Sequence, residues 1–511
     1  MERRLLTAFA LAFFFVLLLR TAWLSDTAYY TLRTAENASR GLGFTWNPME
    51  RVQAFDHPLW MLALTAGYRV TGEVYGSALA LSIGCSLLAA IVVFGSAASE
   101  CGLIVAVLAM ALSPSFLAFS TSGLEGPLLH LLIAAFAVVA LDDRSGRASD
   151  RRCAALAGLA AITHLSTLLL TLPLMTALFR GRDRRGRWEL ALLWLGPAGL
   201  WLLFAAWYYG TPLPNPIVAR LAATRVGLEL QHGVAWLGDA VIRDPLAIVA
   251  SLTGIVLGVQ ATRRSRERLL AIGSLLFLVG VVLTGGDPMS GRWLGAPLIV
   301  AAIQIGRDRR LERPMAGGLA IATAVTLAFS TPQLVLRSDA MFGAPPPADV
   351  PPVDARAMDY QATGLLTNVR QSSPPMWPGG YEAYQAWRDP ARVFVARDHP
   401  GFTGFAAGYG VYVVDITGRG DPLLARLRAV GSLSSSDAGS WTLVRDVPKG
   451  YVASLPSRDI RLADPGIATK YARIRVLTRG SLFDWRRLLA AWQLLVPPAR
   501  DARDQSSEPP S

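Results

Sequence analysis

Charge is scarce in this chain of 511 residues: 17% are Asp, Glu, Lys or Arg, while 52% are hydrophobic. Soluble globular domains carry about 25% charged residues, so a soluble enzyme is a poor fit, and the apolar content excludes disorder over most of the length. Cysteine is nearly absent. Cys85, Cys101 and Cys153 all sit inside or beside apolar runs, which excludes a disulfide scaffold. No His or Cys spacing suits a metal, no Gly-rich phosphate loop leads into a helix, and no Gly-x-Ser-x-Gly elbow occurs. Nucleotide-driven and hydrolase mechanisms therefore have no motif to rest on.

Lysine is also almost missing: Lys449 and Lys470 are the only two among 49 basic residues. The formal net charge is +12, but the arginines are not gathered into one stripe, which argues against nucleic acid. They form short clusters between apolar segments, the positive-inside pattern of a polytopic membrane protein.

A membrane helix needs about 20 mostly apolar residues, fewer where it packs inside a bundle. About eleven segments qualify, near 5–24, 76–98, 101–118, 124–141, 153–165, 167–179, 188–208, 244–262, 269–285, 293–306 and 314–332. With Arg3 and Arg4 on the cytoplasmic side, every dense arginine cluster falls in the inner turns 142–152, 180–187, 263–268 and 307–313. That registry requires 153–179 to be a hairpin and 58–72 to be an in-plane or re-entrant helix. The first segment reads as a retained anchor, because no small-residue cleavage site follows it. The chain beyond residue 333 then lies outside. The fold class is a polytopic α-helical membrane protein with a C-terminal α/β exoplasmic domain: a transmembrane module over 1–332, a Pro-rich linker over 333–352, the α/β domain over 353–495 and a polar tail over 496–511.

Polar residues at membrane depth usually mark a working cavity. They concentrate in three outer loops: 25–57, the turn 120–127 that carries Glu125, and 285–292 with Asp287 and Arg292. The simple reading is one outer cavity, although an acid at a helix start often only caps it. Helical spacing in the first loop predicts an amphipathic surface helix that sets Arg33 beside lipid headgroups, where a guanidinium holds phosphate through paired hydrogen bonds. His57 precedes a proline at this surface and is a functional candidate. His130 and His164 fall within predicted helices and read as structural.

The first loop runs Ser25-Asp26-Thr27-Ala28-Tyr29-Tyr30-Thr31-Leu32-Arg33, Asn37, Gly41-Leu42-Gly43, Trp46-Asn47-Pro48, Glu50-Arg51-Val52 and His57-Pro58-Leu59-Trp60. It resembles the GT-C membrane glycosyltransferases, and within them the mycobacterial terminal arabinofuranosyltransferase family. Further similar motifs are Thr121-Ser122-Gly123-Leu124-Glu125, Tyr208-Tyr209-Gly210, Leu213-Pro214-Asn215-Pro216, Gly286-Asp287 with Gly291-Arg292, and Asp421-Pro422-Leu423-Leu424-Ala425-Arg426. The resemblance implies a polyprenyl-phosphate sugar donor entering from the bilayer and an envelope glycan or glycolipid acceptor meeting it at the outer face of the bacterial plasma membrane. It makes Asp26 the base, Arg33, Arg51 and Arg292 the donor-phosphate ligands, and Asn37, His57, Glu125, Asn215 and Asp287 the sugar and acceptor contacts. The family's acidic pair stands here as Ser25-Asp26, and Thr163-His164 replaces a basic and an acidic residue.

No cofactor is required by these residues; a divalent cation on Asp26 and Glu125 is an option with only two ligands to support it. The expected activity is transfer of arabinofuranose. The alternatives are transfer of a hexose of the mannose type, and a non-catalytic transporter or binding subunit. A transporter is expected to show inverted repeats and polar groups facing both sides, whereas the inner turns here hold plain arginine runs.

Overall fold

The computed structural model describes residues 2–142, 146–223, 226–261, 265–329, 354–370, 380–386, 388–389, 392–397, 399–432 and 443–495. The expected linker 333–352 and tail 496–511 lie outside the described residues. Up to residue 329 the described chain is helical: α1 Glu2–Thr21, α2 Asp26–Ser39, α3 Pro58–Thr71, α4 Val74–Ser96, α5 Glu100–Ala111, α6 Pro114–Phe119, α7 Gly126–Ala140 and α8 Arg147–Thr163. Then follow α9 Thr167–Arg180, α10 Arg184–Tyr208, α11 Asn215–Ala223, α12 Val226–Arg243, α13 Pro245–Gln260, α14 Ser265–Leu283, α15 Gly295–Gly306 and α16 Pro314–Phe329.

Local chemistry sets many of these boundaries. Pro58, Pro114, Pro127 and Pro245 stand in the first turn of their helices, where a missing N–H costs nothing. Ser99 caps α5 through the Gly102 N–H (3.0 Å), and Asp244 caps α13 through that of Ala247 (2.9 Å). Ser113-Pro114 breaks the expected span 101–118 into α5 and α6. Asp244, 2% exposed, seals that break by accepting from the Ser115 N–H at 3.0 Å and the Ser113 hydroxyl at 2.5 Å.

A helix occupies each of the eleven apolar segments. Three of them, Arg3–Thr21, Val74–Ser96 and Arg184–Tyr208, are by themselves long and apolar enough to cross a membrane; the pair Glu229–Arg243 and Pro245–Gln260, bent by 105°, makes a fourth if counted as one span. The arginine-rich turns collect at one end of the bundle. There the Asp150 carboxylate takes both Arg182 and Arg266, and Arg307 donates to the Leu141 carbonyl at 3.0 Å. The amphipathic segment α11–α12 was not anticipated as helix; its apolar residues are too few and too interrupted for a span.

Beyond the bundle come α17 Ala355–Thr363, α18 Leu365–Arg370, α19 Gly380–Ala386, β1 Val393–Ala396, α20 Pro400–Ala406, β2 Tyr412–Asp415, β3 Gly431–Ser432, β4 Leu443–Val444, α21 Tyr451–Ser454, α22 Pro465–Arg479 and α23 Arg486–Leu495. The two runs expected as strands are β1 and β2, which pair in parallel with Val393 opposite Tyr412. Alternation along β2 sends Tyr412 and Val414 into a cluster with Tyr451, Tyr471 and Ile474, and Val413 into another with Tyr30, Trp46 and Ala54 of the first loop.

The second of these clusters overturns the surface-helix expectation. Most of α2 is buried, and Trp46, fully buried, stacks on Tyr30 with ring centroids 4.6 Å apart. Asn47 and Val413 exchange hydrogen bonds at 2.9 and 3.0 Å, and the Tyr30 hydroxyl donates to Asp415 at 2.9 Å. Gly404 and Gly420 both lie against the Trp46 indole, where an added Cβ would fall inside van der Waals contact. Gly404→Ala is therefore expected to cost about 1–3 kcal/mol by overpacking, seen as a lowered Tm in detergent and faster proteolysis of the segment 380–432. An unchanged Tm would show that Trp46 can shift without cost.

Candidate functional site

At the end of the bundle away from the arginine-rich turns, the three polar loops meet. Glu125 stands at the start of α7 yet makes no capping bond with its side chain. Its carboxylate, 1% exposed, instead pairs with Arg292 at 2.9 Å and with His57 at 3.1 Å. Arg292 in turn pairs with Asp287 at 3.2 Å, and its guanidinium lies 4.7 Å over the Trp293 ring. The loop can double back this way because Gly286 and Gly291 adopt φ of 66° and 68°, open to glycine at little cost.

His57 is held from both sides. Its Nε2 lies 2.7 Å from the Thr31 hydroxyl of α2, and Nδ1 lies 2.9 Å from Asp56 as well as near Glu125. Burial opposes charge on this ring, but the adjacent carboxylates of Glu125 and Asp56 outweigh it and raise the imidazole to about 9. At neutral pH it is an imidazolium, so both nitrogens carry a proton. Burial works against ionisation of Asp56 too, and the His57 contact overrides it, holding this carboxyl well below the usual range.

The network opens to solvent at one point. The Asp56 side chain is 34% exposed, against 3% for His57 and 9% for Asp287. It borders an opening of about 490 Å³ whose lining includes Gln53, Pro58, His164, Ala198, Trp201 and Pro214. The walls from α8 and α10 are apolar, and His164 Nε2 stands 3.9 Å from Asp56 at the rim. On the other flank of the ion pairs, Glu125, His130, Arg292 and Trp293 line a smaller hollow of about 300 Å³.

Of the nine residues proposed from sequence, His57, Glu125, Asp287 and Arg292 come together. The other five are engaged elsewhere. Arg33 is 1% exposed and spends its guanidinium on the carbonyls of Trp46, Gly404 and Val411, so it reaches no headgroup. Asn37 donates to the Thr45 and Trp46 carbonyls at 2.9 and 3.1 Å. Arg51 bonds the carbonyls of Tyr208 and Gly480. Asn215 donates to the carbonyls of Gly418, Arg419 and Asp421 at 2.7–3.1 Å. Each of these four ties the first loop or α11 to neighbouring backbone rather than facing an open cavity.

Asp26 lies at the seam with the tail: its Oδ1 accepts from the Phe402 N–H at 2.7 Å, and its own N–H donates to Asp359 at 2.9 Å. Burial raises its carboxyl, and raises that of Asp359 to about 7 with help from the Asp26 charge. The divalent-ion option finds no third ligand; among the described residues no group of three or more His, Cys, Asp or Glu could hold a metal. Two members of the site escaped the sequence reading as candidates, Asp56 and His164. The dipeptide Asp56-His57 before a proline carried a signal for the first; the polar break Thr163-His164 between two apolar helices carried one for the second.

No protein-family model matches the chain. A terminal β-(1→2)-arabinofuranosyltransferase of Corynebacterium glutamicum is 26% identical over 329 residues, which is 55% of this chain and 47% of that protein. The chain spans about half the length of this curated relative. Among solved structures, ArnT from Cupriavidus metallidurans bound to undecaprenyl phosphate has a TM-score of 0.44 and 16% identity, covering 80% of this chain and 74% of the other.

The ion network has a signed pH response. The folded His57 titrates above the free value of about 6.5, so its stabilisation is complete below that value and is lost as pH rises through about 9. Thermal stability in detergent should fall between about pH 6.5 and 9, and the curve for His57→Gln should be flatter over that interval; parallel curves would mean that His57 is not the charged link. Arg292→Met strands Glu125 in the interior, an expected loss of about 3–5 kcal/mol, checked by the same melts at pH 7.

Proposed function

We propose that this chain is a membrane glycosyltransferase that moves a sugar from a polyprenyl-phosphate donor to an envelope glycan or glycolipid acceptor at the outer face of the bacterial plasma membrane. The observation that carries this reading is the opening at Asp56. Its walls are the apolar faces of α8 and α10, suited to a lipid tail, and its polar end is an acid beside two buried cations, His57 and Arg292. A carboxylate within reach of an acceptor hydroxyl can take its proton, while cationic groups steady the departing phosphate. The partial identity with an arabinofuranosyltransferase supports arabinofuranose as the sugar, with a mannose-type hexose as the alternative.

The geometry favours Asp56 over Asp26 as the base. Asp56 faces the opening with part of its surface exposed, whereas Asp26 is bonded into the seam with α20. Asp287 and Glu125 then orient Arg292 and His57, and His164 stands where a sugar or acceptor would pass.

The test is transfer from a panel of synthetic polyprenyl-phosphate sugars to mixed acceptors by the purified full chain, read by mass spectrometry. One donor should be consumed. Asp56→Asn should lower the rate by about 10²–10⁴, the usual weight of a general base, without a matching loss of Tm. Asp26→Asn should lower Tm and leave the remaining folded protein active. The reverse result restores Asp26 as the base, and binding of a donor with no turnover in any mixture supports the binding-subunit alternative instead.

A further inference from the structure

The last described helix, α23, presents one apolar face that the described residues leave largely uncovered. Phe483, Trp485, Leu488, Leu489 and Trp492 are 87%, 67%, 75%, 45% and 66% exposed. The last four stand at i, i+3, i+4 and i+7 spacing, so they form a single stripe. The opposite face is committed to the protein, with Arg487 and Ala490 each 4% exposed. Arg487 fastens the helix to the end of α10: it donates to the carbonyls of Trp207 at 3.0 Å, Tyr208 at 2.8 Å and Leu477 at 3.0 Å.

The level at which α23 sits follows from α10. That helix meets the criteria of a membrane span and only 22% of its apolar window is buried within the protein, so most of its surface belongs to lipid. Its exposed stripe includes Leu192 (71%), Leu200 (69%) and Leu203 (70%) and is bracketed by Trp188 (68%) and Trp207 (44%). At 1.5 Å per residue those tryptophans are about 29 Å apart, matching a hydrocarbon core of about 30 Å. Tryptophan is enriched at both boundaries of that core. Trp207 thus marks one boundary, and the Phe483 ring lies against it with centroids 6.1 Å apart.

We infer that α23 is an interfacial anchor whose Phe483–Trp492 stripe lies in the acyl-chain boundary of the leaflet next to the candidate site. Its stripe is continuous with the lipid-facing stripe of α10, Arg487 holds it at the depth of Trp207, and Arg486 remains exposed at the polar side. Amphipathic helices with Trp, Phe and Leu on one face and arginine on the other bind in this plane. The occupant of the face is phospholipid, and the soluble part of the chain is tethered to the membrane at its far end as well as through the bundle.

The test uses the full chain with Cys85, Cys101 and Cys153 changed to Ala and an environment-sensitive dye on Leu488→Cys, reconstituted at one copy per nanodisc of phosphatidylcholine. A dye on Asp459→Cys, an exposed polar position, is the aqueous reference. The Leu488 probe should emit in the blue, lose most of its emission to a nitroxide on the lipid acyl chain, and resist aqueous iodide. Iodide quenching equal to that of the Asp459 probe overturns the inference. So does protection that appears only with two copies per disc, which would assign the face to a second copy. Should the cysteine replacements impair folding, wild-type protein in discs of acyl-brominated phosphatidylcholine serves equally: the Trp485→Tyr/Trp492→Tyr variant should lose a quenchable fraction of tryptophan emission, and no change in that fraction overturns the inference.

Discussion

A carboxylate with 1% of its surface exposed has to be surrounded by positive charge, and Glu125 meets that demand with groups from two distant parts of the chain. Arg292 and His57 lie 167 and 68 residues away from it in sequence, and both are drawn to the same point. Desolvating one ion without partners costs several kcal/mol, so the three loops can be closed only together. The turn of α7, the hairpin between α14 and α15, and the entry to α3 are thereby fixed relative to one another. The partly exposed Asp56 inherits its position from that closure, because its nearest partner is the His57 that Glu125 also holds.

A second constraint keeps the first loop in place. Arg33 saturates three main-chain carbonyls beneath α20 and β2, and Trp46 fills the space between two glycines of the tail. Segment 26–57 is therefore a wedge between the bundle and the tail, bonded to both. Thr31 on one face of α2 reaches His57, while Tyr30 beside it reaches Asp415. Adjacent residues on one helix thus connect the ion network to the β1–β2 pair.

The helical segments and the gathering of the three polar loops were legible because both rest on strong one-dimensional signals: apolar runs, and arginine clusters set against polar turns. The strands β1 and β2 showed as Val-rich runs for the same reason. That Arg33, Asn37, Arg51 and Asn215 bond main-chain carbonyls was not legible, because a polar side chain in a loop reads alike whether it faces a ligand or a carbonyl. Only the fold shows that Arg33 and Asn215 serve carbonyls within residues 404–421, Asn37 those of Thr45 and Trp46, and Arg51 those of Tyr208 and Gly480. The burial of α2 was hidden for a related reason: its pattern is amphipathic, but the tail, not lipid, covers it. Asp56 was passed over since its value comes from exposure at the rim, which no spacing rule encodes.

The same seam orders events in time. Asp26 and Arg33 find their partners 376 and 378 residues later in the chain. At about 5–20 residues per second of synthesis, those partners appear roughly 20–75 s after the first loop. Throughout that interval the Trp46 indole and the Arg33 guanidinium have each other and Tyr30, but lack the carbonyls of Gly404 and Val411 and the tail glycines that enclose them. A newly made bundle therefore carries an unsatisfied, partly apolar loop at the mouth of its site, and the cavity gains its final shape only when the last quarter of the protein has arrived.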